Sequence, residues 1–145
     1  MTNISGKVIK HLGRGKQLGY PTANLDAETD LDEGIYLGLV KKIEGGTLPP
    51  LFLRKLLPHV GIFQNTGLPS LVFIGNAKTF NEAKKLAEVH ILDFNQEIYG
   101  CDLEVEIIKK VRNNQKFETQ EALIEQMKND ELVARQFFAS YNASN

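Results

Sequence analysis

Apolar and polar side chains alternate almost strictly along residues 102–108, with Leu103, Val105 and Ile107 on one face. That pattern predicts an antiparallel strand buried on one side. The same period sorts residues 87–92: Glu88 and His90 face one way, Val89 and Ile91 the other. Residues 6–10 and 34–40 read as two further strands, the second rich in β-formers. Residues 70–74 form a short apolar run typical of a buried strand. The period then changes. Thr119 can cap a helix with Glu121 in its first turn, and Leu123, Ile124, Met127, Ala134, Phe137 and Phe138 recur at three- and four-residue spacings. Asn129-Asp130 reads as a break between two helical pieces. Strands so short and so closely spaced fit a barrel or sandwich, and the chain reads as a small β-barrel with a C-terminal helix packed on it.

Residues 43–69 fit this scheme least. They hold Pro49-Pro50, Pro58 and Pro69 around an apolar piece, residues 51–57, and so long a connection is unusual in a compact barrel. Two readings stay open: a helical excursion over a barrel end, or a lid or oligomer contact.

Composition narrows the class. The 145 residues fit one domain over 1–145, and 42% apolar with 24% charged residues is ordinary for a soluble globular chain. A net charge of −1 gives no field toward nucleic acid or anionic membrane. Cys101 is the single cysteine, so neither an internal disulfide nor a thiolate metal site is expected, and a reducing compartment is. There is no apolar signal segment at the N-terminus, and the apolar runs are too short to span a bilayer. A soluble cytoplasmic monomer, without nucleic-acid or membrane partners, is the expectation.

The informative chemistry lies at residues 11–24, His-Leu-Gly-Arg-Gly-Lys-Gln-Leu-Gly-Tyr-Pro-Thr-Ala-Asn. This is not a Walker A loop, and Leu18 stands where the third glycine of a dinucleotide fingerprint would fall. Glycines still allow backbone N–H groups to converge on an anion, and Arg14 and Lys16 add positive charge. Pro21 stiffens the chain before Thr22 and Asn24, whose oxygens are hard donors suited to Mg²⁺ beside phosphate. Two residues apart, they share a face of an extended chain.

Taken whole, Gly15-Lys-x-Leu-Gly-x-Pro-Thr-Ala-Asn24 resembles the riboflavin kinase (flavokinase) family. The resemblance runs from about residue 6 to 139: Gly34-Ile-Tyr36 is similar to its Gly-Val-Tyr strand, residues 87–94 to its catalytic strand, followed by Ile98-Tyr-Gly100. Val111-Arg112 and Lys116-Phe117 resemble its flavin-side loop, and residues 117–139 its closing helix with an acidic Asp130. The resemblance implies a six-stranded antiparallel Greek-key (split) barrel with a C-terminal α-helix. It implies transfer of the γ-phosphate of ATP to the ribityl 5′-OH of riboflavin. The adenylyltransferase domain that precedes this module in many bacterial bifunctional enzymes is not in this sequence, so, unless the sequence is part of a longer chain, FMN but not FAD is the expected product.

By the same resemblance Glu88 is the base that takes the ribityl proton. Gly15, Lys16 and Gly19 form the nucleotide-side loop. Thr22 and Asn24 bind the divalent metal and the terminal phosphates, and Ile91, Asp93 and Tyr99 contact ATP. Arg112 and Phe117 contact the flavin. His90 lies on the face of Glu88 and reads as a support to the site or as structural, not as the base. A carboxylate on an otherwise apolar strand needs a partner or a task, which agrees with the role of Glu88.

This chain departs from the family pattern at His11, where glycine is usual, at Lys78, where bacterial members have proline, and at Asn114 and Gln115 in the flavin loop. These changes bear on loop conformation and flavin affinity; Thr22, Asn24 and Glu88 are retained. The rival from another class is a non-catalytic flavin- or nucleotide-binding module on the same fold. An oligonucleotide-binding barrel is disfavoured: aromatics make up 8%, Trp is absent, and only Tyr20 adjoins the basic run.

Overall fold

The structure, a computed structural model, describes residues 2–9, 22–45, 67–76, 85–94 and 98–141. Six strands are formed: β1 (Thr2–Ile9), β2 (Ala23–Asp26), β3 (Gly34–Gly45), β4 (Leu68–Asn76), β5 (Lys85–Ile91) and β6 (Cys101–Arg112). One helix, α1 (Gln120–Ser140), follows. The strands are antiparallel and close into a barrel in the order β1-β2-β5-β4-β3-β6. β3, β4 and β5 make a meander, and β2 lies beside β5, which is a Greek key read from its C-terminal end. The barrel and closing helix expected from the sequence are therefore present.

Alternation along each strand divides the side chains between two cores. Val8, Leu25, Val72, Val89, Leu103 and Val105 are among those filling the barrel interior. Ile35, Leu37, Leu71 and Leu92 lie on the outer face and pack with Ala134, Phe137 and Phe138 of α1. Burying this second set removes apolar area from water at roughly 25 cal/mol per Å², which fixes the helix on one side of the barrel. Val89 and Ile91 face inward, as the period of β5 predicts.

Several boundaries differ from the sequence reading, which also placed no strand at β2. β1 starts at Thr2, because Thr2 to Lys7 pair with Ile107 to Asp102 and extend the ladder past the glycine at position 6. The two ends of the 43–69 segment belong to β3 and β4, with Ile43 in the interior core; residues 46–66 lie outside the described set. Asn129-Asp130 does not break the helix: α1 is continuous from Thr119, whose Oγ1 accepts from Ala122 N at 3.1 Å. Asp130 is 1% exposed and ion-paired with Arg112, so a tertiary contact overrides weak helix propensity. Among the described residues no helix is long and apolar enough to cross a membrane.

Candidate active site

Register brings the site together. Asn24 pairs with Glu88, Glu88 with Phe73, Phe73 with Ile35, and Ile35 with Arg112. Directly paired residues of an antiparallel sheet share a face. These five side chains therefore form one row on the outer surface, across β2, β5, β4, β3 and β6. The polar groups Asn24 and Glu88 occupy one end, the apolar Phe73 and Ile35 the middle, and Arg112 the other end. With strands about 4.8 Å apart, Glu88 and Arg112 are separated by roughly 14 Å along the sheet.

A cleft of about 610 Å³ lies over this row from Glu88 to Arg112; Asn24 is not among its lining residues. Its floor includes Glu88, Phe73, Ile35 and Arg112, with Thr22 at its edge. One wall is the segment 114–119, including Phe117, and the other is the first half of α1, through Leu123 and Met127. The volume is in the range of small-molecule sites. Asn114 Nδ2 donates to Ile74 O at 3.0 Å, which ties the 114–119 wall to the end of β4. The asparagine that departs from the family pattern thus has a defined structural task.

Asn24 is 5% exposed, and its Oδ1 is the buried side-chain polar atom that lacks a hydrogen-bond partner among the described residues. An orphaned carbonyl oxygen is costly unless something electropositive reaches it. Thr22, partly buried, supplies a second hard oxygen. Neutral oxygens of this kind fit Mg²⁺, which commonly takes few protein ligands and completes its shell with phosphate and water. No cluster of three or more His, Cys, Asp or Glu occurs among the described residues.

Arg112 is held firmly. Its Nε and Nη2 donate to the two oxygens of Asp130 at 2.9 and 2.8 Å, and Nη1 donates to Asn113 O at 3.0 Å. His90 is buried on the outer face, beside Leu71 in register.

The remaining expected contacts sit apart. Ile91 turns its side chain into the barrel interior. Tyr99 is 41% exposed in the turn before β6. Asp93 follows β5 with φ 59°, and Arg135 donates to both its oxygens at 3.1 and 2.8 Å. That guanidinium holds the Asp93 carboxyl below its ordinary range, and Asp93 with Glu131 raises Arg135 in turn. None of Ile91, Asp93 and Tyr99 is among the described residues that line the cleft. Gly15, Lys16 and Gly19, like His11 and Lys78, lie outside the described residues. Ile35, Phe73, Leu123 and Met127 are cleft residues that the sequence reading missed. The one available signal was Phe73, an aromatic amid a short strand run.

The family model Flavokinase, described as riboflavin kinase, matches residues 1–138. The chain belongs to the flavokinase family. This flavokinase chain is 31% identical over 137 residues to the bifunctional riboflavin kinase/FMN adenylyltransferase of Escherichia coli K12, covering 93% of itself and 37% of that protein. It is 34% identical over 139 residues to the RNA-binding riboflavin kinase RibR of Bacillus subtilis, covering 94% of itself and 52% of that protein. The chain thus spans between about a third and a half of these relatives. The crystal structure of riboflavin kinase from Trypanosoma brucei superposes with a TM-score of 0.57 at 21% identity, over 95% of this chain and 80% of that one. At that identity the likeness bears on the fold.

Proposed function

We propose that this flavokinase chain transfers the γ-phosphate of ATP to the ribityl 5′-hydroxyl of riboflavin, giving FMN and ADP. One observation carries the reading: the row with Glu88 beside an Asn24 oxygen that has no partner among the described residues at one end, an apolar middle, and Arg112 roughly 14 Å away. An acceptor that fits such a row has a hydroxyl at one tip, an apolar body, and hydrogen-bond acceptors at the far end. Riboflavin has that shape.

In this reading the flavin body lies in the cleft over Phe73 and Ile35, against Phe117, with Arg112 donating to its polar edge. Its ribityl chain points at Glu88. The Glu88 carboxylate takes the proton of the 5′-OH as that oxygen bonds to the γ-phosphorus. The bond from phosphorus to the ADP oxygen breaks, and ADP leaves with the electron pair. General-base assistance of this kind contributes roughly 10²–10⁴-fold. Thr22 and Asn24 would hold the divalent ion, which when bound neutralises charge on the terminal phosphates. Leu123 and Met127 of α1 and the 114–119 wall keep water from the acceptor.

The test is direct. Purified protein incubated with riboflavin and Mg-ATP is assayed by chromatography for FMN and ADP in equal amounts. Flavin binding without any FMN would refute phosphotransfer and favour a binding module on the same barrel.

A further inference from the structure

Asp130 is a carboxylate 1% exposed on a helix otherwise anchored by apolar side chains. It grips Arg112 through both oxygens and receives a third hydrogen bond from Gln126 Nε2 at 3.0 Å. Buried ion pairs are a poor route to stability, since apolar replacements often hold a fold equally well. Ala134, Phe137 and Phe138 already dock this helix on the barrel. The pair does something that packing does not: it fixes the plane and direction of the Arg112 guanidinium. Three of its five N–H groups are taken by the Asp130 and Asn113 bonds, so the rest are presented in one orientation at the cleft.

The placement along α1 is consistent. Leu123 and Met127 line the cleft, Asp130 lies one turn further along, and Ala134 begins the apolar contact. The carboxylate thus sits where the helix passes from cleft to core.

We propose that Asp130, supported by Gln126, is a positioning residue that sets Arg112 for the flavin end of the acceptor without touching it. This rests on the riboflavin reading above. Flavin binding and turnover are therefore measured separately, in wild type, Asp130→Asn and Gln126→Met. Riboflavin binding is followed by quenching of flavin fluorescence, turnover by FMN formation, and folding by thermal unfolding. An asparagine can accept from one Arg112 N–H but turns a donor toward the other, so the guanidinium loses its fixed plane. Loss of one oriented, charge-assisted hydrogen bond corresponds to about tenfold in affinity.

Asp130→Asn should raise the riboflavin Kd and KM about tenfold and leave the KM for ATP within about twofold. A merely structural role would lower thermal stability or kcat with riboflavin affinity unchanged, and that result overturns the inference. If Asp130→Asn does not fold, Gln126→Met decides: a riboflavin Kd raised about threefold supports it, and a wild-type Kd overturns it. Wild-type protein that binds riboflavin but makes no FMN refutes phosphotransfer alone and leaves the binding measurement decisive for Asp130. Wild-type protein that binds no riboflavin overturns both.

Discussion

Replacing Asn24 by leucine separates what the fold wants from what the site wants. The Asn24 Oδ1 is buried with no described partner, and such a group costs about 1–3 kcal/mol in the folded state. Leucine keeps the same branched skeleton with no polar atom, but its methyl groups are bulkier, and the misfit costs about 1 kcal/mol. The net expectation is a protein more stable by about 1 kcal/mol without ligand. For a chain near 150 residues, that raises Tm by about 3 °C. With Mg-ATP the order should reverse. Ligand at a hundred times its Kd stabilises wild type by about 2.7 kcal/mol. The variant, lacking the oxygen proposed to meet the metal, should gain little. Thermal unfolding of both proteins with and without Mg-ATP, alongside FMN formation, reads all of this. A variant less stable than wild type without ligand, or one with an undiminished Mg-ATP shift, would refute the view of Asn24 as a group kept unpaired for its ligand.

Glu88→Gln should lower kcat by about 10²–10⁴-fold while nucleotide affinity, measured by calorimetry, persists. Arg135 holds Asp93 below its ordinary value of 3.8, so the pair's contribution is present above about pH 4 and is lost as pH falls through the depressed folded value. Both side chains are substantially exposed, so this amounts to less than about 1 kcal/mol. Denaturant titrations of wild type and Arg135→Ala should show a small gap at pH 7 that closes below pH 4. A Cβ at Gly34, where φ is 153°, would stand 2.8 Å from Arg112 O. Gly34→Ala should therefore cost about 2 kcal/mol or more and weaken riboflavin binding by shifting the end of β6. Unchanged urea midpoints would count against that contact.

Much of the fold was legible because alternation is a local property. Leu103, Val105 and Ile107 separated from Glu104 and Glu106, and Val89 and Ile91 from Glu88 and His90, without knowledge of any partner strand. Both facts held when the barrel closed. Register is not local, and it decides the site. Nothing in the spacing between Ile35, Phe73 and Arg112 says that they stand in one row with Glu88. Only the pairing of β3 with β4 and β6 brings that about. The misread helix break has the same origin. Asn129-Asp130 is a poor helical dipeptide by propensity, but the carboxylate answers to an arginine 18 positions earlier. Thr22, Asn24 and Glu88 are proposed through a family motif, which encodes the register indirectly.

The row has one more property. Ile9 of β1 pairs with Asn24, so this single line of side chains takes one residue from each of the six strands. No hairpin or half-barrel contains the site, and any opening that frees β2, β3, β4, β5 or β6 removes one of its residues. Ligand binding is therefore coupled to the whole fold rather than to a local segment. A bound ligand should slow the exchange of the most protected amide protons throughout the barrel by the full factor of its binding, because partly open forms of the ladder have nothing left to bind.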